Sequence, residues 1–151
     1  SAGKTVGAAS TTFFRVNDEI RWNETHMTSI EHEPFQRFLK ECADADCEFF
    51  VAEAASHGLA QGRLGPMTPE VAAITNTSLE HLDYHGSMEQ YRRDKAIVFA
   101  MLGGRGTKVL NARDETCLPY GRIPSTKTIV YDGAMPQSGI VISFGHDALR
   151  A

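Results

Sequence analysis

Glu53, Ser56 and His57 fall within the run Glu53-Ala54-Ala55-Ser56-His57-Gly58, so a carboxylate, a hydroxyl and an imidazole leave the end of an apolar stretch together. A second run, Asn76-Thr77-Ser78-Leu79-Glu80-His81-Leu82-Asp83-Tyr84-His85-Gly86, sets two imidazoles beside two carboxylates. Oxygen and imidazole donors together can hold a divalent cation, and a cation held so activates water or offsets phosphoryl charge. The same residue types also cap ordinary loops by bonding to backbone. Lys95 is out of place in a different way, because it shares a helical apolar stripe with Met88, Tyr91, Val98, Phe99 and Leu102. Burial there disfavours the ammonium and frees the amine for chemistry, unless the long side chain snorkels to solvent. Arg63, in Gln61-Gly62-Arg63, suits bidentate pairing with a carboxylate or phosphate. Asn111-Ala112-Arg113-Asp114 ends an apolar run with side chains fit for a nucleobase, a ribose or a helix N-cap. Gly3-Lys4-Thr5 has the ending of a phosphate loop, but the first glycine of that pattern would fall before residue 1. The run Val6-Gly7-Ala8-Ala9-Ser10-Thr11-Thr12 that follows also reads as a strand, where a phosphate loop must open a helix.

Positioning these groups falls to short β-rich runs at Val6–Ser10, Glu48–Ala52, Val71–Thr75, Lys108–Asn111, Thr128–Tyr131 and Ile140–Ser143. Several are apolar on both faces, as buried parallel strands are. Val16-Asn17-Asp18-Glu19 predicts a hairpin turn. Pro34 opens a helix whose Phe35, Phe38, Leu39 and Cys42 keep to one face. The capping box Ser87-Met88-Glu89-Gln90 opens a second helix, which runs to about Leu102 before Gly103-Gly104 stops it. Strands alternating with helices give an α/β fold, a mostly parallel sheet with flanking helices. Ligands of such sheets bind beyond the carboxyl ends of the strands. The polar segments there are Glu53 to Arg63, Asn76 to Gly86 and Asn111 to Asp114.

The 151 residues, with a formal net charge of −4 and 42% apolar content, suit one domain spanning 1–151. Mild acidity argues against nucleic acid as a partner, since phosphate backbones call for clustered Lys and Arg. Three cysteines with no C-x-x-C pair read as reduced thiols of a cytoplasmic protein. No apolar run approaches the roughly 20 residues of a membrane span, and no signal-peptide core follows Ser1-Ala2-Gly3-Lys4.

Taken with their neighbours, these motifs resemble the central, ATP-binding domain of the Mur ligases, in the branch that adds the third residue to UDP-N-acetylmuramoyl-dipeptide. Glu53-Ala54-Ala55-Ser56-His57-Gly58-Leu59-Ala60-Gln61-Gly62-Arg63 is similar to the family's E-V-S-S-H-x-L-x-Q-x-R. Thr75-Asn76-Thr77 through His81-Leu82-Asp83-Tyr84-His85-Gly86-Ser87-Met88 is similar to T-N-L-x-x-D-H-L-D-Y-H-G-T-M. Tyr91, Lys95 and Phe99 continue the likeness, which runs from about Val6 to about Gly133.

The resemblance implies a phosphate-loop-type domain lacking, in these residues, its first strand, phosphate loop and first helix. It implies Mg2+ held by Glu53 and His81, with Lys95 carbamylated into an anion that supports a second magnesium. Thr28, Ser29, Ser56, Gln61 and Arg63 would contact the UDP-N-acetylmuramoyl-peptide, and Asn76, Asn111 and Asp114 would lie near ATP. The implied reaction phosphorylates a substrate carboxylate and lets an amino acid's amine attack the acyl phosphate. Its amino-acid substrate and the family's N- and C-terminal domains are the implied partners, and these residues alone are expected to be inactive. An open sheet edge also allows a homo-oligomer. The departures are Ala54-Ala55 for Val-Ser, Glu80 for the Asp before His81, and Arg113 for an acidic residue. Two other functions stay open beside this one: a binding or scaffold module that has lost ATP turnover, and a metal-dependent hydrolase using Glu53, His81, Asp83 and His85.

Overall fold

The computed structural model describes residues 3–77, 82–131 and 140–145. Eight strands form one sheet: β1 (Val6–Ala9), β2 (Phe13–Val16), β3 (Glu19–Trp22), β4 (Phe49–Glu53), β5 (Val71–Ile74), β6 (Thr107–Asn111), β7 (Lys127–Tyr131) and β8 (Ile140–Gly145). Their order is β3-β2-β1-β4-β8-β5-β6-β7. Helices α1 (His32–Asp44), α2 (Ser56–Ala60), α3 (Leu82–His85) and α4 (Met88–Ala100) connect them, with a 3-10 helix at Glu115–Arg122. The result is the mixed α/β class read from the sequence, with parallel ladders joining β1 to β4 and β5 to β6 to β7. Two features depart from a purely parallel sheet. A turn closed by the Ser10 N–H on the Phe13 carbonyl folds β2 back on β1, and the hairpin turn at Asn17, with φ 53, folds β3 onto β2, both as antiparallel pairs. Strand β8 runs antiparallel between β4 and β5, where Ile142 stands opposite both Ala52 and Ala72. An antiparallel strand bonds both neighbours' backbones as fully as a parallel one, so the centre of the sheet carries no unpaired edge.

Local sequence explains each helix. Helix α1 carries Pro34 in its first turn and buries Phe35, Phe38, Leu39 and Cys42, the face its spacing predicts. Phe38 meets Phe14 and Phe50 edge-on, with centroids 5.0 and 5.9 Å apart, and so ties the helix to the sheet. Helix α4 is capped by the Ser87 side chain, which accepts from the Gln90 N–H. It packs on α2 and β5 and buries Tyr91, Asp94, Lys95, Val98 and Phe99. The three cysteines are buried free thiols, and burial pushes Cys42 up to about 12 and Cys117 up to about 11. Among the described residues no helix is long and apolar enough to cross a membrane.

Lys108 breaks the apolar pattern of β6. It is fully buried, and its Nζ donates to the carbonyls of Tyr120, Gly121 and Ile123 at 2.8, 3.0 and 2.6 Å. Those carbonyls belong to the far end of the 3-10 helix, where unsatisfied acceptors favour a cation. Burial holds the Lys108 ammonium below its ordinary pKa. At the near end, Asp114 is the N-cap: its Oδ1 accepts from the Thr116 N–H and hydroxyl, and its Oδ2 from the Thr77 N–H at 2.8 Å. A buried charge at one end, Lys108, and a half-buried one at the other, Asp114, therefore fasten this helix to β6 and to the segment after β5.

Two outcomes follow from this packing. A Cβ on Gly7 would lie 2.5 Å from Cys42 Sγ and 3.0 Å from the Phe50 ring, so α1 approaches β1 only because residue 7 has no side chain. Gly7→Ala is expected to cost about 1–3 kcal/mol by overpacking, read as a lower urea midpoint at unchanged slope. Burial opposes the Asp114 carboxylate, but its hydrogen bonds from Thr116 and Thr77 outweigh that and hold its pKa below the usual carboxylate range. A folded pKa lowered in this way adds stability that is complete above the unfolded value and is lost as pH falls through the folded one. Asp114→Asn should accordingly flatten the acid limb of the stability–pH curve below about pH 4; an unchanged acid limb would contradict the assigned bonds.

Candidate functional site

Strands β1, β4, β5 and β6 point their carboxyl ends the same way, and the side chains singled out in the sequence gather in the segments beyond them. Three hydrogen-bonded groups form there. At the end of β4, Glu53 Oε2 accepts from the Thr11 N–H at 3.0 Å and from its hydroxyl at 2.9 Å. The Thr11 and Thr28 hydroxyls are 2.8 Å apart, so Thr11 joins the end of β1, Glu53 and Thr28 in one chain. Nothing in the sequence flagged Thr11; its part is visible only once β1 and β4 are known to be neighbours.

The second group surrounds Arg63. Its guanidinium donates to the Ser29 carbonyl at 2.7 Å and to Gln61 Oε1 at 2.7 Å, and it pairs with Glu31 at 3.0 Å. Ser29 Oγ in turn accepts from the Ala55 N–H at 2.9 Å, at the start of α2. A Cβ on Gly58 would lie 2.3 Å from Ser29 Cβ, so this approach of α2 to Ser29 requires glycine. Gln61 also donates to the Tyr84 hydroxyl at 2.9 Å, and the Tyr84 ring lies 4.0 Å from the His57 ring. Thr28, Ser29, Ser56, Gln61 and Arg63, far apart in sequence, thus stand on connected segments. The polar run after Glu53 is in part a helix, which its short span hid.

The third group holds α4. Lys95 lies buried in the apolar stripe, where the sequence had left burial and snorkelling both open; its Nζ donates to the Asn76 carbonyl at 2.7 Å and lies 4.8 Å from the Tyr91 ring centroid. Asn111 Nδ2 donates to the Thr75 carbonyl at 2.9 Å, and Asn111 Oδ1 accepts from the Arg113 N–H. Asn76, Asn111 and Asp114 therefore converge on Thr75–Thr77, just past β5. The structure adds a buried trio to this group. Ser56 Oγ lies 2.9 Å from His85 Nε2, and His85 Nδ1 lies 2.6 Å from Asp94 Oδ2. Asp94 was missed, although an acid three residues past Tyr91 and four before Val98 sits on the same stripe as Lys95.

Residues 78–81, with Glu80 and His81, lie outside the described residues, so the pairing of Glu53 with His81 is left to the sequence resemblance. His85 uses both ring nitrogens within the protein, one toward Ser56 and the other toward Asp94. Among the described residues no group of three or more His, Cys, Asp or Glu side chains is placed to hold a metal.

Comparison with known proteins agrees with this architecture. Residues 2–137 match the Mur ligase middle domain family. The UDP-N-acetylmuramyl-tripeptide synthetase of Treponema pallidum (strain Nichols) is 46% identical over 102 residues, 66% of this chain and 19% of that protein. The UDP-N-acetylmuramoyl-L-alanyl-D-glutamate--2,6-diaminopimelate ligase of Geobacillus thermodenitrificans (strain NG80-2) is 36% identical over 136 residues, 86% of this chain and 27% of that protein. A solved structure of a ligase of the latter name superposes with a TM-score of 0.73 at 25% identity, covering 91% of this chain and 28% of that one. The chain thus spans about a fifth to a quarter of the length of the relatives it matches. Matched over residues 2–137 and folded like that solved ligase, the chain belongs to the Mur ligases, within their middle domain.

Proposed function

We propose that this chain is a single unit, part of the ATP-handling middle domain of a cytoplasmic ligase of peptidoglycan precursor synthesis, which joins an amino acid to UDP-N-acetylmuramoyl-L-alanyl-D-glutamate, and that these residues alone are inactive. The observation that carries this reading is the linkage of Gln61 and Arg63, just past α2, to Ser29, whose Oγ holds the start of that helix, within a chain matched over residues 2–137 to the Mur ligase family. The relatives' names supply the substrate class: one is a UDP-N-acetylmuramyl-tripeptide synthetase, and another adds 2,6-diaminopimelate to the dipeptide precursor. In this reading ATP phosphorylates the substrate's terminal carboxylate, and the incoming amine displaces phosphate to form the amide. Segments beyond these residues, corresponding to the rest of the relatives' length, complete the active site.

The residues fit the implied groups. Arg63, with a side chain 17% exposed and ordered by Gln61 and Glu31, is the cation suited to an anionic part of the muramoyl-peptide, and Thr28, Ser29 and Ser56 supply hydroxyls nearby. Thr11 fixes one oxygen of Glu53, the arrangement by which proteins aim a ligating carboxylate. Glu53 and His81 would hold magnesium, which when bound offsets the charge of the transferring phosphoryl group. Lys95 would carry a carbamate, formed when its neutral amine adds to carbon dioxide and releases a proton, and that anion would support a second magnesium. A carbamate keeps one N–H, so a carbamylated Lys95 would still have a donor for the Asn76 carbonyl. Asn76, Asn111 and Asp114 lie on the nucleotide side, beyond β5 and β6.

Calorimetric titration of the protein at its full encoded length with UDP-N-acetylmuramoyl-L-alanyl-D-glutamate tests the reading. Binding is expected, and Arg63→Lys should weaken it roughly tenfold or more, because lysine cannot reproduce the guanidinium's planar fork. No heat from the wild-type protein at millimolar ligand would overturn the proposed substrate.

A further inference from the structure

Strand β3 is one edge of the sheet, and among the described residues no strand pairs with its outer side. An open edge presents unpaired N–H and C=O groups that template further pairing, and proteins guard such edges with charge, proline or a covering segment. One face of β3 lacks that guard, since Ile20 is 57% exposed, Trp22 is 78% exposed, and alternate residues of a strand share a face. The other face carries one charge of each sign, Glu19 and Arg21, 4.0 Å apart at the surface. Arg21 is anchored there by α1, because its Nη2 donates to both carboxylate oxygens of Glu41 at 2.8 Å.

A strand of this composition complements itself. Two copies laid edge to edge and antiparallel are related by a two-fold axis normal to the sheet, and directly opposite residues then point to the same face. That axis must pass between a residue and its own copy, because a register centred between two residues would set opposite faces together. Within the four residues of β3, only the axes at Ile20 and at Arg21 bring three residues of each copy into opposition. The axis at Arg21 sets two guanidinium groups face to face. The axis at Ile20 instead sets Glu19 against the partner's Arg21, twice by symmetry, and Ile20 against the partner's Ile20, with each tryptophan diagonal to the other copy's isoleucine.

We propose that β3 is the dimerisation edge of this protein, joining a second copy antiparallel in the register centred on Ile20. Charge selects that register over its rival, and the apolar pair beneath supplies the burial. So short an overlap makes a weak dimer. The interface uses Glu19, Ile20, Arg21 and Trp22, none of which has a part in the proposed reaction. Because β3 runs parallel to β1, the two copies point the carboxyl ends of their parallel strands in opposite directions and keep separate sites.

Sedimentation velocity of the protein at its full encoded length tests this. Between about 10 and about 500 μM its weight-average mass should climb from the monomer's toward twice that value. Glu19→Arg sets arginine against arginine and should hold the protein at monomer mass throughout, as should Arg21→Glu, which sets glutamate against glutamate. Mixed in equal amounts, the two variants should form a heterodimer, because each supplies the charge the other lacks; that rescue also shows that both fold. Ile20→Cys should cross-link to its own copy under mild oxidation, since the cysteines of the described residues are buried, and adding Glu19→Arg should abolish the link. A wild-type protein that stays monomeric at the highest concentration would overturn the proposal. So would a dimer that Glu19→Arg leaves intact, which would place the contact at another edge or in another segment of the full-length protein. Two monomeric variants that form no heterodimer on mixing would overturn it as well.

Discussion

Two adjacent charges on the buried face of α4, Asp94 and Lys95, are the constraint from which the rest of the site follows. A charged side chain without a partner in a protein interior costs several kcal/mol, so each must be met by a group held in one place. Asp94 is met by His85 and Gln90, and Lys95 by the Asn76 carbonyl, to which the nitrogen of either its ammonium or its carbamate can donate. Meeting both at once leaves α4 little freedom to slide or rotate. It also fixes two segments far apart in sequence, the start of α2 and the end of β5, against the same two turns of helix.

The neighbouring groups extend that order outward. From the start of α2, the Ala55 N–H reaches Ser29, and Ser29 reaches Arg63, whose other donors hold Gln61 and Glu31. From the end of β5, Thr77 reaches Asp114, which caps the 3-10 helix whose other end Lys108 fastens. The links through Ser29, Arg63 and Thr77 join separate segments, while Gln61 and Glu31 meet Arg63 at the surface. The sheet beneath supplies alignment, since parallel neighbours end on one side and place their following segments together. Charge-assisted bonds of this kind fix geometry more than they add stability.

Much of this was legible in the sequence because it is written in periodicity. Helix α1 declared itself through Phe35, Phe38, Leu39 and Cys42, helix α4 through its Ser87 cap, and the strands through short β-branched runs. The misfit of Lys95 was equally readable, because a cation on an apolar stripe violates the pattern around it. Less legible were features that depend on a partner from elsewhere in the chain. Asp94 and Lys108 are ordinary charged residues until the side chain or carbonyls they meet are known. Helix α2 has only five residues, too few for a period, and the antiparallel direction of β8 is set by where the chain returns, which no local pattern encodes. The sites read from motif, Glu53, Ser56, Gln61 and Arg63, were found by likeness to a family; their hydrogen bonds needed the fold.

The account turns on Lys95 being buried for its chemistry and not merely tolerated. Carbon-13 NMR of the protein in labelled bicarbonate measures this most directly. A carbamate resonance that is present in the wild-type protein, absent in Lys95→Arg, and lost together with ligase activity is the predicted result. An unmodified ammonium at Lys95 under saturating carbon dioxide, with full activity retained by Lys95→Arg, would contradict it.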